Sequence, residues 1–142
     1  MNSSDWETIP VRVYYEDTDA QGVVYFANYL RFMERGRTEW LRSRGVHQDA
    51  LMAEQNICFS LINSQVQFLK PARFDDMLAV KTRVVSAKGA RVKFEQAVHR
   101  DDADGELLCS AECEAACLTA DSFKPRRLPP DLVTTPVTAT QG

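Results

Sequence analysis

Apolar and polar residues alternate through most of the second half of the chain. Ile62, Ser64, Val66 and Phe68 alternate with Asn63, Gln65, Gln67 and Leu69. Leu78, Val80, Thr82 and Val84 alternate with Ala79, Lys81, Arg83 and Val85, and Val92, Phe94, Gln96 and Val98 with Lys93, Glu95, Ala97 and His99. From Leu107 to Cys117 one side reads Leu, Cys, Ala, Cys, Ala, Cys, against Ser110, Glu112 and Glu114 on the other. A period of two predicts strands with one buried face. Pro71 with Asp75-Asp76, Lys88-Gly89, and Asp101 to Gly105 stand between the runs and suit antiparallel turns. A β-branched and aromatic run, Ile9 to Tyr15, predicts a short strand near the N-terminus.

One segment has the other period. After Asn28, a good N-cap, Tyr29, Phe32, Met33, Gly36 and Trp40 recur at helical spacing, with Leu30, Arg37 and Leu41 beside them. Gly45 stands where a C′ residue would end the helix near Arg44. Gly36 in its middle costs about 1 kcal/mol against Ala, which predicts close approach of a neighbouring element there. Gln48 to Glu54 suggests a shorter second helix. One long helix and one antiparallel sheet can bury both apolar faces only against each other. The expectation is an α+β domain over residues 1–130, with a five-stranded sheet curved around the helix. Residues 131–142 are expected to be a disordered tail rich in Thr and Pro.

Bulk properties narrow the function. The 142 residues, 44% of them hydrophobic, suit one core and not two domains. A net charge of −3 argues against nucleic-acid binding, which draws affinity from surplus Lys and Arg. No apolar run approaches the roughly 18 residues of a membrane span, and no export signal opens the chain, so a cytoplasmic location is expected. Cys109, Cys113 and Cys117 recur every four residues, but on a strand that spacing is about 13 Å, too long for one metal ion. They read as small buried thiols, and no metal or cofactor is expected.

The chemistry concentrates in Asp17-Thr-Asp19-Ala-Gln-Gly22-Val-Val-Tyr-Phe-Ala-Asn28. It begins like a calcium loop, yet its twelfth position is Asn28, where a bidentate Glu is required. It can equally be a structural Asp-Gly turn. A third reading is a catalytic carboxylate. If the strand runs on, Tyr15, Asp17 and Asp19 share one side, and Asp19 falls beneath the helix N-terminus. Free N–H groups around Phe26 to Asn28 would then be donors for a developing oxyanion. There is no Gly-x-Ser-x-Gly elbow, no nucleotide-binding glycine pattern and no recognisable histidine dyad.

Residues 10–29, with Met33-Glu-Arg-Gly-Arg-Thr-Glu39, Pro71-Ala-Arg-Phe-Asp-Asp-Met-Leu78 and Lys124-Pro-Arg-Arg-Leu-Pro129, resemble the 4-hydroxybenzoyl-CoA thioesterase family of hotdog-fold proteins. More narrowly they resemble its branch associated with the Tol-Pal envelope system. The resemblance implies hydrolysis of acyl-CoA thioesters, with Asp19 as nucleophile or general base and the Phe26 amide polarising the carbonyl. It also implies that Tyr15 lines the pocket, and that active sites lie between subunits of a homodimer or homotetramer. Asn28, Arg73, Lys88 and Arg91 are the expected substrate-binding residues, the cations for CoA phosphates, with Lys124 to Arg127 as a further cation source. Acyl carrier protein is an alternative acyl donor, and a non-catalytic acyl-binding scaffold is the alternative outside enzymes. One departure stands out: members of that branch usually carry His where this chain has Phe26. An amide donor survives that change, but a side-chain proton transfer does not.

Overall fold

The computed structural model describes residues 6–130; the tail expected at 131–142 lies outside the described residues. In chain order the elements are β1 (Glu7–Arg12), α1 (Phe26–Ser43), α2 (Gln48–Gln55), β2 (Ile57–Phe68), β3 (Met77–Lys88), β4 (Arg91–Arg100) and β5 (Leu107–Thr119). The strands form one antiparallel sheet in the order β1-β3-β4-β5-β2. The long helix crosses one face of this sheet, as the two periodicities require.

The apolar stripe of α1, Tyr29, Phe32, Met33, Trp40 and Leu41, is buried against Leu78, Val80 and Val84 of β3 and Val92, Phe94 and Val98 of β4. Its contacts run chiefly to β1 and β3, with β4 at the margin. It meets β5 and β2 through fewer residues: Arg37 reaches Cys113 of β5, and Phe26 and Tyr29 meet Phe68 of β2. Gly36 marks the closest approach. A Cβ there would come within 2.5 Å of Thr82 Oγ1 and 3.1 Å of Gln96 Nε2. Both neighbours are buried polar groups. Gln96, 1% exposed, donates to the Met33 carbonyl (2.9 Å) and to Thr82 Oγ1 (2.8 Å), so the sheet hydrogen-bonds to the helix where glycine lets it in.

The helix ends as expected. Gly45 takes φ +83°, its N–H reaches the Arg42 carbonyl and the Val46 N–H reaches that of Leu41, the paired bonds of a Schellman ending. Its start differs. The cap position is Tyr25 and the first helical residue is Phe26, so Asn28 lies in the first turn and is not the N-cap.

Two strands also differ from the pattern. β2 begins at Ile57 and not at Ile62, because a bulge at Ile62 shifts the pairing from Leu61↔Ala115 to Asn63↔Glu114. The extra residue inverts the alternation, so Phe59 and Leu61 share a side with Ser64, Val66 and Phe68 although their parity differs. β1 ends at Arg12, short of the expected Tyr15, for a reason that belongs to the site.

Candidate active site

The chain between β1 and α1 is folded by its own carboxylates. Asp17 Oδ2 accepts the Tyr14 N–H (2.8 Å), and the Asp17 and Thr18 N–H groups donate to the Tyr14 and Tyr15 carbonyls. These bonds close a 3-10 turn at Tyr15–Asp17 and stop the strand. Tyr15, Asp17 and Asp19 therefore do not alternate along one extended segment. The chain then makes a small hairpin: Thr18 bridges Val24, the Asp19 N–H donates to Val23 O (2.9 Å), and Gly22 N–H closes the turn on Asp19 O (3.0 Å) with φ +79°. Only glycine adopts that conformation without strain.

Hairpin and helix start are tied together. The Tyr25 N–H donates to Asp17 O (3.1 Å), and Asn28 Nδ2 donates to Asp17 Oδ1 (2.8 Å). A second brace comes from the loop after β2. The Val24 N–H donates to Ala72 O (2.8 Å), while the Ala72 N–H donates to the buried Tyr29 hydroxyl (3.0 Å). Burial raises the Tyr29 pKa above its ordinary value despite that bond.

The start of α1 thus carries unspent donors. The Asn28 N–H is used by the Tyr25 carbonyl (2.8 Å), but among the described residues the N–H groups of Phe26 and Ala27 have no partner. Beside them lies a cleft of about 310 Å³ lined by Val23, Val24, Phe26, Tyr29, Phe68 and Leu69, with Lys70 and Pro71 completing it. The Phe26 ring, 64% exposed, lies 4.6 Å from that of Phe68, and Tyr29 is 5.4 Å from Phe68 on the other side. A mostly apolar hollow next to free amides at the positive end of a helix suits a carbonyl joined to an apolar group.

Not every expected residue meets here. Asp19 stands exposed in the hairpin, its Oδ1 accepting the Gln21 N–H (2.8 Å). The carboxylate bonded to the helix start is that of Asp17, two ladder positions nearer Phe26. Asn28 is present as the group that holds Asp17. Arg73 flanks the hairpin through its bridge to Val23. Tyr15 stands apart: 79% exposed, its ring meets Phe74 edge-on, in a depression shared with Arg12, Tyr14 and Asp75. Lys88 and Arg91 are farther away. They flank the β3–β4 turn, separated from Met77 by the whole of β3, about 36 Å at about 3.3 Å per residue. Arg91 pairs with Glu114 there (3.3 Å). Residues 124–128 fold against that same end, where Leu128 N–H bonds Gly89 O and Arg126 N–H bonds Cys117 O.

Phe68, Leu69 and Lys70 are cleft residues that sequence reasoning missed. Their signal was only the end of a strand next to Pro71, which is common. Lys70 pairs with Glu106 (3.3 Å), whose carboxyl is held below its usual range by Lys70 and then Arg100.

Comparison with known proteins shows the family. Residues 13–134 match the model of the thioesterase-like superfamily. The chain belongs to that superfamily, the hotdog-fold thioesterases. It is 46% identical over 124 residues to the acyl-CoA thioester hydrolase YbgC of Escherichia coli O157:H7, covering 87% of this chain and 90% of that protein. It is 42% identical over 125 residues to the acyl-CoA thioesterase YbgC of Haemophilus influenzae, covering 88% and 90%. Among solved structures, a probable thioesterase from Bartonella henselae superposes with a TM-score of 0.81 at 37% identity, over 87% of this chain and 99% of that one.

Proposed function

We propose that this protein hydrolyses acyl-CoA thioesters to a free acid and CoA. The observation that carries the reading is the hairpin at Thr18–Val24, which sets a carboxylate-bearing turn against a helix start whose first two amides are unspent. In this reading the acyl carbonyl takes hydrogen bonds from the Phe26 and Ala27 N–H groups, and the apolar portion lies against Phe26, Phe68 and Tyr29. Asp19 either attacks the carbonyl carbon, forming a mixed anhydride that water then hydrolyses to the free acid and the regenerated carboxylate, or removes a proton from a water that attacks the carbonyl carbon directly. Its bond to Gln21 N–H fixes its rotamer and leaves Oδ2 available. The negative charge that develops on the carbonyl oxygen meets the amides, and the C–S bond breaks to release CoA as thiolate. Asp17 and Asn28 position the loop and the helix against each other. The relatives named as acyl-CoA thioester hydrolases support this substrate class.

The working unit in this proposal is a homodimer joined along β2. That strand is twelve residues long, lies at the sheet edge, and exposes Leu61, Ile62 and Phe68. Such an edge invites pairing. The other edge, β1, is six residues long and contains Pro10, which blunts it. Antiparallel pairing of β2 with its copy exchanges the two ends of the sheet. It would bring Lys124 and Arg126 of a second copy, with Arg91 and Lys88 behind them, towards the Phe26 cleft. Cations too distant within one chain would then be available to CoA phosphates.

Thiol release from a panel of short, medium and aromatic acyl-CoAs tests the reading. Hydrolysis by the wild type and a loss of at least about 100-fold in Asp19→Asn, with an unchanged fold, is the expected result. Binding of these esters without CoA release would favour an acyl-binding scaffold. Activity confined to carrier-bound acyl groups would make acyl carrier protein the partner.

A further inference from the structure

Arg37 is a half-buried cation with which no described carboxylate pairs. It lies on α1 three turns after Phe26, turned inward, and its Nη1 donates to Gln96 Oε1 (3.0 Å) and to Cys113 Sγ (3.6 Å). Gln96 is itself locked by Met33 O and Thr82, so the guanidinium is held from below by a fixed chain of hydrogen bonds. Among the described residues no Asp or Glu pairs with it; Glu34, one turn earlier, is exposed and forms no ion pair with it. Its Nε and Nη2 donate to nothing described. Among the described residues no fully buried side-chain nitrogen or oxygen lacks a partner, so those donors face accessible space.

That space is a second pocket, of about 290 Å³, between α1 and the inner face of the sheet. Its apolar lining is Leu41, Phe59, Leu61, Val92, Phe94 and Ala115; Thr38, Gln48, Ser60 and the exposed Glu34 line it as well, with Arg37 as the inward-held cation. It shares no lining residue with the cleft at Phe26. Along the helix the two are about 16 Å apart at about 1.5 Å per residue. A guanidinium with a free edge matches a carboxylate, whose two oxygens accept its parallel N–H groups. The apolar part of the lining, Phe59, Leu61 and Phe94 above all, matches an alkyl or aryl body attached to that carboxylate.

We propose that the Arg37 pocket binds small apolar carboxylic acids in their ionised form, at a site separate from the helix-start cleft. The carboxylate pairs with Nε and Nη2 of Arg37, and the hydrocarbon lies between Phe59, Leu61 and Phe94. The assignment does not depend on hydrolysis, and its test reads binding and not turnover.

The test is an NMR titration of the isotopically labelled full chain with sodium octanoate, following the Arg37 Nε–Hε signal and the rings of Phe59 and Phe94. A saturable shift of all three is expected, with 1-octanol, which lacks the charge, at least about tenfold weaker. Arg37→Gln should lose the octanoate response. Because that change also touches the Gln96 network, Leu61→Trp serves as the second variant. Leu61 is partly exposed, so a larger ring can fill the pocket and leave the Arg37 hydrogen bonds in place. It should abolish binding with the Arg37 signal retained. Equal binding of 1-octanol, undiminished binding in Leu61→Trp, or shifts confined to Phe26 and Phe68 would overturn the proposal. So would an Arg37 signal that ignores octanoate and instead shows contacts to Glu34 of a second copy.

Discussion

Asn28 Nδ2 lies 2.8 Å from Asp17 Oδ1, and this bond joins the turn that ends β1 to the first turn of α1. The other oxygen of the same carboxylate holds the Tyr14 N–H. One side chain thus stops the strand and seats the helix.

Asn28→Ala is therefore expected to destabilise the fold by about 1–2 kcal/mol, since a hydrogen bond to a half-buried charged group is lost. Urea unfolding reads that loss. Thiol release should fall as well, because the helix start would no longer be registered against the hairpin. A variant with unchanged stability and rate would remove Asn28 from the positioning role.

Phe26→Pro isolates the main-chain donor. Proline is tolerated at the first helical position, and Tyr25 before it already has the extended backbone (φ −69°, ψ 138°) that a following proline requires. The substitution deletes one N–H and leaves the helix. A loss of about 10²–10³ in kcat is expected if that amide meets the oxyanion. Phe26→Ala, which keeps the amide, should instead act mainly on KM through the lost ring at the cleft. Equal kcat in both variants would contradict the assignment.

Gly36→Ala sets two effects against each other. Helix propensity alone favours Ala by about 1 kcal/mol. The new methyl would sit 2.5 Å from Thr82 Oγ1 and 3.1 Å from Val80 Cγ1, and overpacking of this kind costs about 1–3 kcal/mol. Thr82 is locked by Gln96 and cannot move cheaply. The variant should have a lower urea midpoint than the wild type, and a higher one would show that the helix rises off the sheet without cost.

Alkaline pH should weaken the fold. Burial, with a smaller contribution from Cys113, raises the Cys109 thiol from 9.0 to about 12, and burial also raises Cys117 and Tyr29. A group whose pKa is higher folded than unfolded stabilises fully below its unfolded pKa and loses that stabilisation as pH rises through the folded value. For Cys109 the window runs from about pH 9 to about pH 12. Urea midpoints should be flat between pH 7 and 8.5 and fall above 9, and Cys109→Ala should flatten part of that fall.

The periodic parts of the chain were legible because each states its own geometry. β3, β4 and β5 alternate with one face buried, and α1 repeats its apolar residues at helical spacing up to a glycine ending. Gly36 was legible as a close approach, though not the identity of Thr82 and Gln96 beneath it. β2 was read five residues short because the bulge at Ile62 reverses the alternation, and no local signal distinguishes a bulge from a strand end.

The site divides in the same way. Its loop and its helix could be placed by residue type: carboxylates and a glycine turn before a helical repeat. That Asp17 and not Asn28 organises the helix start, that Tyr15 turns away, and that Phe68 and Lys70 come in beside Phe26 were decided by tertiary structure. So was the separation of Lys88 and Arg91 from the cleft by the length of the sheet. Local sequence determines which dihedral angles and which faces a segment prefers. Which carboxylate captures which N–H, and which distant strand end closes a cleft, depends on contacts between residues far apart in the chain, and those exist only once the helix has packed on the sheet.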